Sequence, residues 1–151
     1  MGNPNLRPSD RAAVVGVIDP DAYAAATYVT GWIDASLFED FMAIVMVGDL
    51  GSSATVNAKL TAAEDGSGTN PHDITGKAIT ALTDAGTDSN KQAIINVRAD
   101  EISADGAYTH FKLSVTVGTA TSDMGALVLG LNPHFGGASD NDATTVDEIV
   151  S

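Results

Sequence analysis

Residues 55–62 read TVNAKLTA, and apolar and polar side chains alternate along them without a break. One face carries Val56, Ala58, Leu60 and Ala62, and the other carries Thr55, Asn57, Lys59 and Thr61. Because successive side chains of a β-strand point to opposite faces, this pattern predicts a strand with one buried and one solvated side. Residues 109–117 (THFKLSVTV) repeat the alternation, which predicts a second strand of the same kind.

Further short β-prone runs lie on both sides of these two strands. Residues 28–33, 92–97 and 126–131 are rich in residues that favour strands. Residues 38–47 (FEDFMAIVMV) are apolar on both faces, which predicts a strand buried on both sides. The apolar spacing of residues 74–82 is compatible with a helix, although Gly76 and the threonines weaken that interpretation.

Turn-forming residues separate these runs at intervals of about eight to fifteen residues, with an Asp105-Gly106 pair typical of hairpins. The pattern predicts seven or eight strands in an all-β fold, an antiparallel β-sandwich or jelly-roll-like barrel. We expect an N-terminal arm over residues 1–20, a sandwich core over residues 21–131 and an acidic C-terminal extension over residues 132–151.

Composition excludes several functions for the chain. Its 151 residues carry seven Lys and Arg against twenty Asp and Glu, a net charge of −13, which argues against a phosphate-neutralising nucleic-acid binder. No apolar run is long enough for a transmembrane helix, and residues 1–10 do not resemble a secretory signal. There is no cysteine for a disulfide or a thiolate site. We therefore expect neither a nucleic-acid nor a membrane partner.

Residues that carry catalysis or bind metals are sparse and scattered. His72, His110 and His134 lie far apart in the sequence, and none has a second ligand at a metal-binding spacing. No nucleophile elbow, P-loop or dinucleotide fingerprint occurs, so we expect no enzyme, no catalytic residue and no metal ligand.

We expect no cofactor, and structural calcium is the alternative that the acidic turns leave open. Oxygen-bearing side chains cluster in three places, residues 65–70, residues 100–105 and residues 140–142. None of them has the spacing of a twelve-residue calcium loop with a closing Glu. Asp and Asn are also frequent in β-turns that bind no ion.

Three stretches resemble the small β-proteins that tailed bacteriophages encode next to the major capsid protein. They are residues 38–68, residues 91–102 (KQAIINVRADEI) and residues 108–135 (YTHFKLSVTVGTATSDMGALVLGLNPHF). Together they cover roughly two thirds of the chain. The resemblance implies a capsid decoration, or cement, protein of the virion that sits on the outer capsid surface and bridges capsid subunits.

That resemblance implies the major capsid protein as partner, a homotrimer as the oligomer and synthesis in the host cytoplasm. The candidate contacts to the capsid or to another subunit are Arg7, Arg11, Trp32 and Phe135. A terminal arm can also add a strand to a neighbour's sheet. The alternatives are another virion component, such as a tail or neck module, and a carbohydrate- or host-surface-binding β-sandwich, for which Trp32 and Tyr28 would form a platform.

Overall fold

The structure is a computed structural model that describes residues 5–104 and 106–150. The strands are β1 (Ala12–Tyr23), β2 (Ala26–Val29), β3 (Ile33–Asp34), β4 (Phe38–Val47), β5 (Thr55–Ala63), β6 (His72–Ala78), β7 (Leu82–Thr83), β8 (Gln92–Arg98), β9 (His110–Gly118) and β10 (Ser122–Pro133). The helices are α1 (Pro8–Arg11), α2 (Ala99–Ser103) and a 3-10 helix (Ala138–Asn141).

The strands form two antiparallel sheets, in which strands from the start of the chain pair with strands from its end. One sheet has the order β1-β10-β4-β8, and the other has the order β2-β9-β5-β6, with β3 beside β9 and β7 beside β5. The first principal strand is paired with the last, the second with the next to last, and so on inward to β5 and β6. This is the arrangement of a jelly roll, and it confirms the predicted fold class.

The core lies between the two sheets, where the alternating strands turn their apolar sides toward each other. Phe41 of one sheet and Phe111 of the other are fully buried, with ring centroids 4.7 Å apart and an edge-on orientation. Phe38 packs edge-on against Phe41 at 5.8 Å. Such tilted aromatic pairs add stability beyond the area they bury, so the three rings fasten the sheets together.

The N-terminal segment differs from the free arm that the sequence predicts. Residues 12–23 form β1, which runs antiparallel to β10 from Ala12 opposite Leu131 to Tyr23 opposite Ser122. Ala13 and Ile18 are buried on the inner side of the strand. The apolar run of residues 12–18 thus satisfies its backbone groups in the chain's own sheet. Residues 1–4 lie outside the described part.

The C-terminal segment is also more firmly placed than the loose extension that its composition suggests. Ala138 in the 3-10 helix is fully buried in the core. Beyond the helix, the Val14 N–H donates to Asp142 Oδ1 at 2.7 Å, and the Ala143 N–H donates to the Val14 carbonyl at 2.7 Å. The segment therefore covers the outer edge of β1 at Val14. Residue 151 lies outside the described part.

Two further predictions need correction. Residues 28–33 do not form one strand, because Thr30 interrupts the ladder and its Oγ1 accepts the Leu113 N–H at 3.1 Å. Residues 72–78 form strand β6 instead of a helix, since Gly76 adopts a positive φ of 76° that a helix does not contain. Between β8 and β9 lies helix α2, and Asp105 of the predicted hairpin turn falls outside the described residues.

Candidate interaction surface

One side of the β1-β10-β4-β8 sheet faces away from the core and carries aliphatic side chains on all four strands. The pairing registers align Val17 with Leu127, Leu127 with Ile44, and Ile44 with Ile94, so an aliphatic row crosses the whole sheet. We call this surface the aliphatic face, and it consists of Val14, Val17, Met42, Ile44, Met46, Ile94, Leu127 and Leu129.

Every member of the aliphatic face is at least partly open to solvent. Ile94 is 56% exposed and Met46 is 50% exposed, and the other six are partly exposed. This corrects the prediction that residues 38–47 are buried on both sides. Only one side of β4 has a partner sheet, so its second apolar side is left at the surface.

The outer side of the second sheet has the opposite character. Its exposed or partly exposed side chains are polar along β5 and β9, namely Thr55, Asn57, Lys59, Lys112 and Thr116. Thr27 Oγ1 and Thr116 Oγ1 are hydrogen-bonded there at 2.8 Å. An antiparallel sandwich ordinarily solvates its outer faces with polar residues, and only one of these two outer faces does so.

The aliphatic face ends in an open groove of about 690 Å³. A register shift in β1 between Ile18 and Asp21 brings Pro20 over Gly125 of β10, where a Cβ would lie 3.0 Å from the Pro20 Cα. The missing side chain of Gly125 lets Pro20 pack directly on this residue, and Met46 lies on the neighbouring strand opposite Gly125. All three residues line a depression at this end of the face. We call this depression the groove, and its lining includes Val17, Pro20, Met46, Gly125 and Leu127.

Two aspartates line the groove, and two more adjoin its lining residues. Asp21 and Asp123 line it, Asp19 adjoins Pro20, and the Asp49 carbonyl accepts the Asp123 N–H at 2.9 Å. None of these four carboxylates forms an ion pair with another described residue. The pKa of Tyr23, which lies near Asp19 and Asp21, is raised mainly by desolvation and further by these two carboxylates. The groove is therefore apolar with a negative rim.

The edges of the same sheet are partly occupied by the chain's own groups. On β1, the Val14 N–H donates to the Asp142 carboxylate, and the Val14 carbonyl accepts the Ala143 N–H. On β8, Lys77 Nζ donates to the Asn96 carbonyl at 2.9 Å and pairs with Glu101 at 2.9 Å. Edge strands blocked in this way are poor templates for adding a further strand. The face of the sheet, and not its edge, is the open surface.

The four contact residues predicted from the sequence do not form one cluster. Arg7 and Arg11 flank helix α1 and are exposed, and neither forms an ion pair with another described residue. Phe135 is 79% exposed and follows the end of β10, which pairs with the start of β1 near Arg11. These three residues share one end of the sheet.

Trp32 lies apart from them and is only partly exposed. Lys112 Nζ sits 4.5 Å from its ring centroid, and Gly68 packs so closely that a Cβ would lie 2.7 Å from Trp32 Nε1. Tyr28, its predicted platform partner, packs against Tyr23 with ring centroids 4.3 Å apart. The two rings therefore have separate surroundings.

His134 forms a small polar junction at the end of β10. Its Nδ1 lies 2.7 Å from the Ser36 carbonyl, and its Nε2 lies 3.1 Å from Glu39 Oε2. Both neighbours are acceptors, so both ring nitrogens donate only when the imidazole is protonated. The hydrogen bond to Ser36 and the Glu39 carboxylate raise the pKa of His134 above its ordinary value.

The acidic turns use their carboxylates within the fold. Asp65 accepts the Thr69 hydroxyl at 2.7 Å and the N–H groups of Ser67 and Thr69, and these bonds lower its pKa. The pKa of Glu101 is lowered by Lys77 and by the Arg98 N–H. Within the described residues, no group of three or more His, Asp or Glu side chains is placed to hold a metal ion.

The aliphatic face is the feature that the sequence interpretation missed, although its signal was present. Residues 38–47 are apolar on both sides, yet the predicted fold has two layers, in which each strand has a single buried side. In a two-layer sandwich, a second apolar side has to be exposed. Ile94 and Leu127 belong to predicted strands whose sequences, QAIINV and ALVLGL, do not alternate clearly enough to show which side faces the core.

No protein-family model matches the sequence, and comparison with curated proteins gives no match. Among solved structures, the chain is similar to the VP2 subviral particle of infectious bursal disease virus, with 17% identity, 87% of this chain and 36% of that chain covered, and a TM-score of 0.48. The chain spans 36–41% of the length of the infectious bursal disease virus chains that it matches.

It is also similar to the top component of cowpea mosaic virus, with 10% identity, 88% and 89% of the two chains covered, and a TM-score of 0.40. A third match is TmCBM61 in complex with β-1,4-galactotriose, with 9% identity, 74% and 66% covered, and a TM-score of 0.37. Since all three scores are below 0.5, the function has to be argued from the surface of the chain itself. Within residues 5–104 and 106–150, no helix has the length and apolarity needed to cross a membrane.

Proposed function

We propose that this chain is a structural protein of a virion that decorates and stabilises an icosahedral phage capsid by bridging capsid subunits. The observation that carries the proposal is the aliphatic face. A continuous aliphatic row across four strands is unusual on the outside of a solvated sandwich, and such patches mark surfaces that bind another protein. The stretches that resemble phage decoration proteins support the same function.

The energetics of such a protein rest on apolar burial and repetition. Each aliphatic side chain that a partner covers contributes in proportion to the apolar area removed from water. A capsid offers the same contact many times, so a protein that holds two neighbouring subunits gains from effective concentration as well as from each contact. The negative charge of −13 keeps the free protein soluble despite its apolar face.

The proposed partner is the major capsid protein, and the proposed assembly is a homotrimer on the outer capsid surface. Arg7, Arg11 and Phe135 are exposed at one end of the sheet and are the proposed secondary contacts. No reaction, cofactor or metal is part of this proposal. The alternative virion position, in a tail or neck, differs from decoration in the number of copies that a particle contains.

Counting copies in purified particles tests the proposal. Quantitative mass spectrometry against the major capsid protein gives the ratio, with an isotope-labelled full-length chain as the standard. Decoration predicts a fixed ratio of this chain to the major capsid protein, with a copy number comparable to that of the capsid subunits. A few copies per particle would move the protein to the neck or tail, and its absence from washed particles would contradict a virion role.

A further inference from the structure

We propose that the groove at the end of the aliphatic face binds a short segment of the partner protein that inserts an apolar side chain and carries Lys or Arg beside it. This inference rests on the proposed function, because it specifies the chemistry of the partner that the aliphatic face binds. Its evidence is the shape of the groove and the charge around it.

The shape of the groove favours a side chain more than a flat surface. Pro20 of the β1 bulge packs on Gly125 of β10, and both line the groove together with Met46 of β4. Val17 and Leu127 continue the lining into the aliphatic row. A partner side chain placed here would contact apolar groups from three strands, and interface anchors that fill such pockets carry much of the binding energy.

The charge around the groove indicates which residues lie beside the inserted apolar side chain of the partner. Asp19, Asp21, Asp49 and Asp123 are close to the groove, and no described Lys or Arg neutralises them. Lys91, which adjoins β8 at this end of the sheet, is already paired with Asp88 at 2.8 Å. Partner cations beside the inserted side chain would pair with these carboxylates, whereas partner carboxylates would be repelled.

A second copy of the chain is a poor occupant for the same reason. Each copy would bring the same four carboxylates and a net charge of −13 to the contact. At the far end of the sheet, Arg98 is paired with Asp100 and lies opposite Asp40, whereas Arg7 and Arg11 form no ion pair with another described residue. A second copy that docks these two arginines on the groove is the alternative that the sedimentation experiment below tests. The net charge of −13 on each copy favours a different protein, with basic residues around an apolar segment, as the occupant of the groove.

Two synthetic peptides test the groove directly. One is acetyl-Lys-Leu-Val-Leu-Lys-amide, and the other replaces both lysines with glutamates. Amide chemical shifts of the isotope-labelled full-length chain report where each peptide binds. We expect the basic peptide to shift amides in residues 17–22 and 123–127, and to bind at least about tenfold more tightly than the acidic peptide.

A matched pair of variants distinguishes the effect of the carboxylates at the groove from the effect of the net charge of the chain. Asp21→Asn with Asp123→Asn removes two rim charges, and Asp147→Asn with Glu148→Gln removes two charges from the C-terminal segment. The first variant is expected to lose most of the preference for the basic peptide, and the second is expected to keep it. Equal binding of the two peptides, shifts confined to another surface, or equal effects of the two variants would overturn the proposal.

The failure of this inference can be distinguished from the failure of the proposed function. Copies in particles without peptide binding at the groove would leave the virion role in place and overturn the groove assignment. Sedimentation of the free chain adds a separate check. Self-association that Met46→Glu abolishes would assign the aliphatic face to a second copy and overturn the proposed partner.

Discussion

Ile44 and Ile94 lie directly opposite each other on β4 and β8, on the side of the sheet that faces away from the core. Ile94 is 56% exposed, and the Leu127 and Val17 positions extend the same row across β10 and β1. The inter-sheet core is complete without them, since Phe41 and Phe111 pack on the opposite side. The row therefore lies outside the inter-sheet core, on the side of the sheet that we propose binds another protein.

Ile94→Glu should weaken attachment to capsids and leave the fold intact. A carboxylate at the β8 end of the aliphatic row would be buried without a partner in the complex, which costs several kcal/mol of binding. In the free chain the glutamate stays in solvent, so the unfolding free energy should change by less than about 1 kcal/mol. Co-sedimentation with capsids that lack the protein measures attachment, and urea unfolding measures stability.

Asn57→Glu is the matched control for that variant. Asn57 is exposed in the polar outer face of the second sheet, on the central strand β5. We expect it to bind capsids as the unmodified chain does. Equal loss of attachment in both variants would place the contact elsewhere or reveal a general effect of charge.

Phe111→Ala should destabilise the protein strongly. Its fully buried ring contacts Phe41 across the two sheets, and its removal leaves a cavity that close packing does not fill. Truncation of a buried Phe costs about 3–5 kcal/mol. Urea unfolding checks this value, and Phe135→Ala, at a position 79% exposed, is the control that should leave stability nearly unchanged. Similar midpoints for the two variants would contradict the described core.

Asp142→Ala should loosen the edge of β1. The carboxylate accepts the Val14 N–H at 2.7 Å, and its loss should cost about 1 kcal/mol and speed amide exchange at Val14. Asp142→Asn keeps an acceptor oxygen and should lose less. Unchanged exchange in the alanine variant would show that the C-terminal segment does not hold this edge in solution.

His134 should titrate above its ordinary pKa of 6.5. A raised pKa in the folded state means that folding favours the protonated ring. Its contribution to stability is therefore complete below pH 6.5 and is lost as the pH rises through the folded-state value. A proton NMR titration measures the pKa directly. Glu39→Gln should lower the pKa of His134 toward 6.5. An unchanged pKa would show that Glu39 and His134 are not in contact in solution.

The fold was predictable because its signals are local. The alternation in residues 55–62 follows from the strand period of two, and the structure buries Val56 and Leu60 as that alternation requires. The pairing of β1 with β10 was harder to predict, because nothing in the sequence of residues 12–18 indicates that β10 is the partner strand. Its placement depends on contacts more than a hundred residues away, such as Ala12 with Leu131.

The surface was predictable only in part. Phe135 is exposed, as a contact residue has to be, whereas Trp32 is covered by Lys112 and the Gly68 loop. A single aromatic residue does not reveal whether a loop folds over it. The aliphatic face required knowing that β4 has one partner sheet, and the groove required the bulge at Pro20, which depends on the register between β1 and β10.

Oxidation of Met46 tests most directly whether the aliphatic face is the surface that binds the capsid. Met46 is 50% exposed on that face, while Met124 is 3% exposed and serves as the internal reference in the same chain. Limited peroxide treatment followed by mass spectrometry gives the sulfoxide fraction at each position. We predict rapid oxidation of Met46 in the free protein and strong protection in intact particles. Equal oxidation of Met46 in both states would contradict the account.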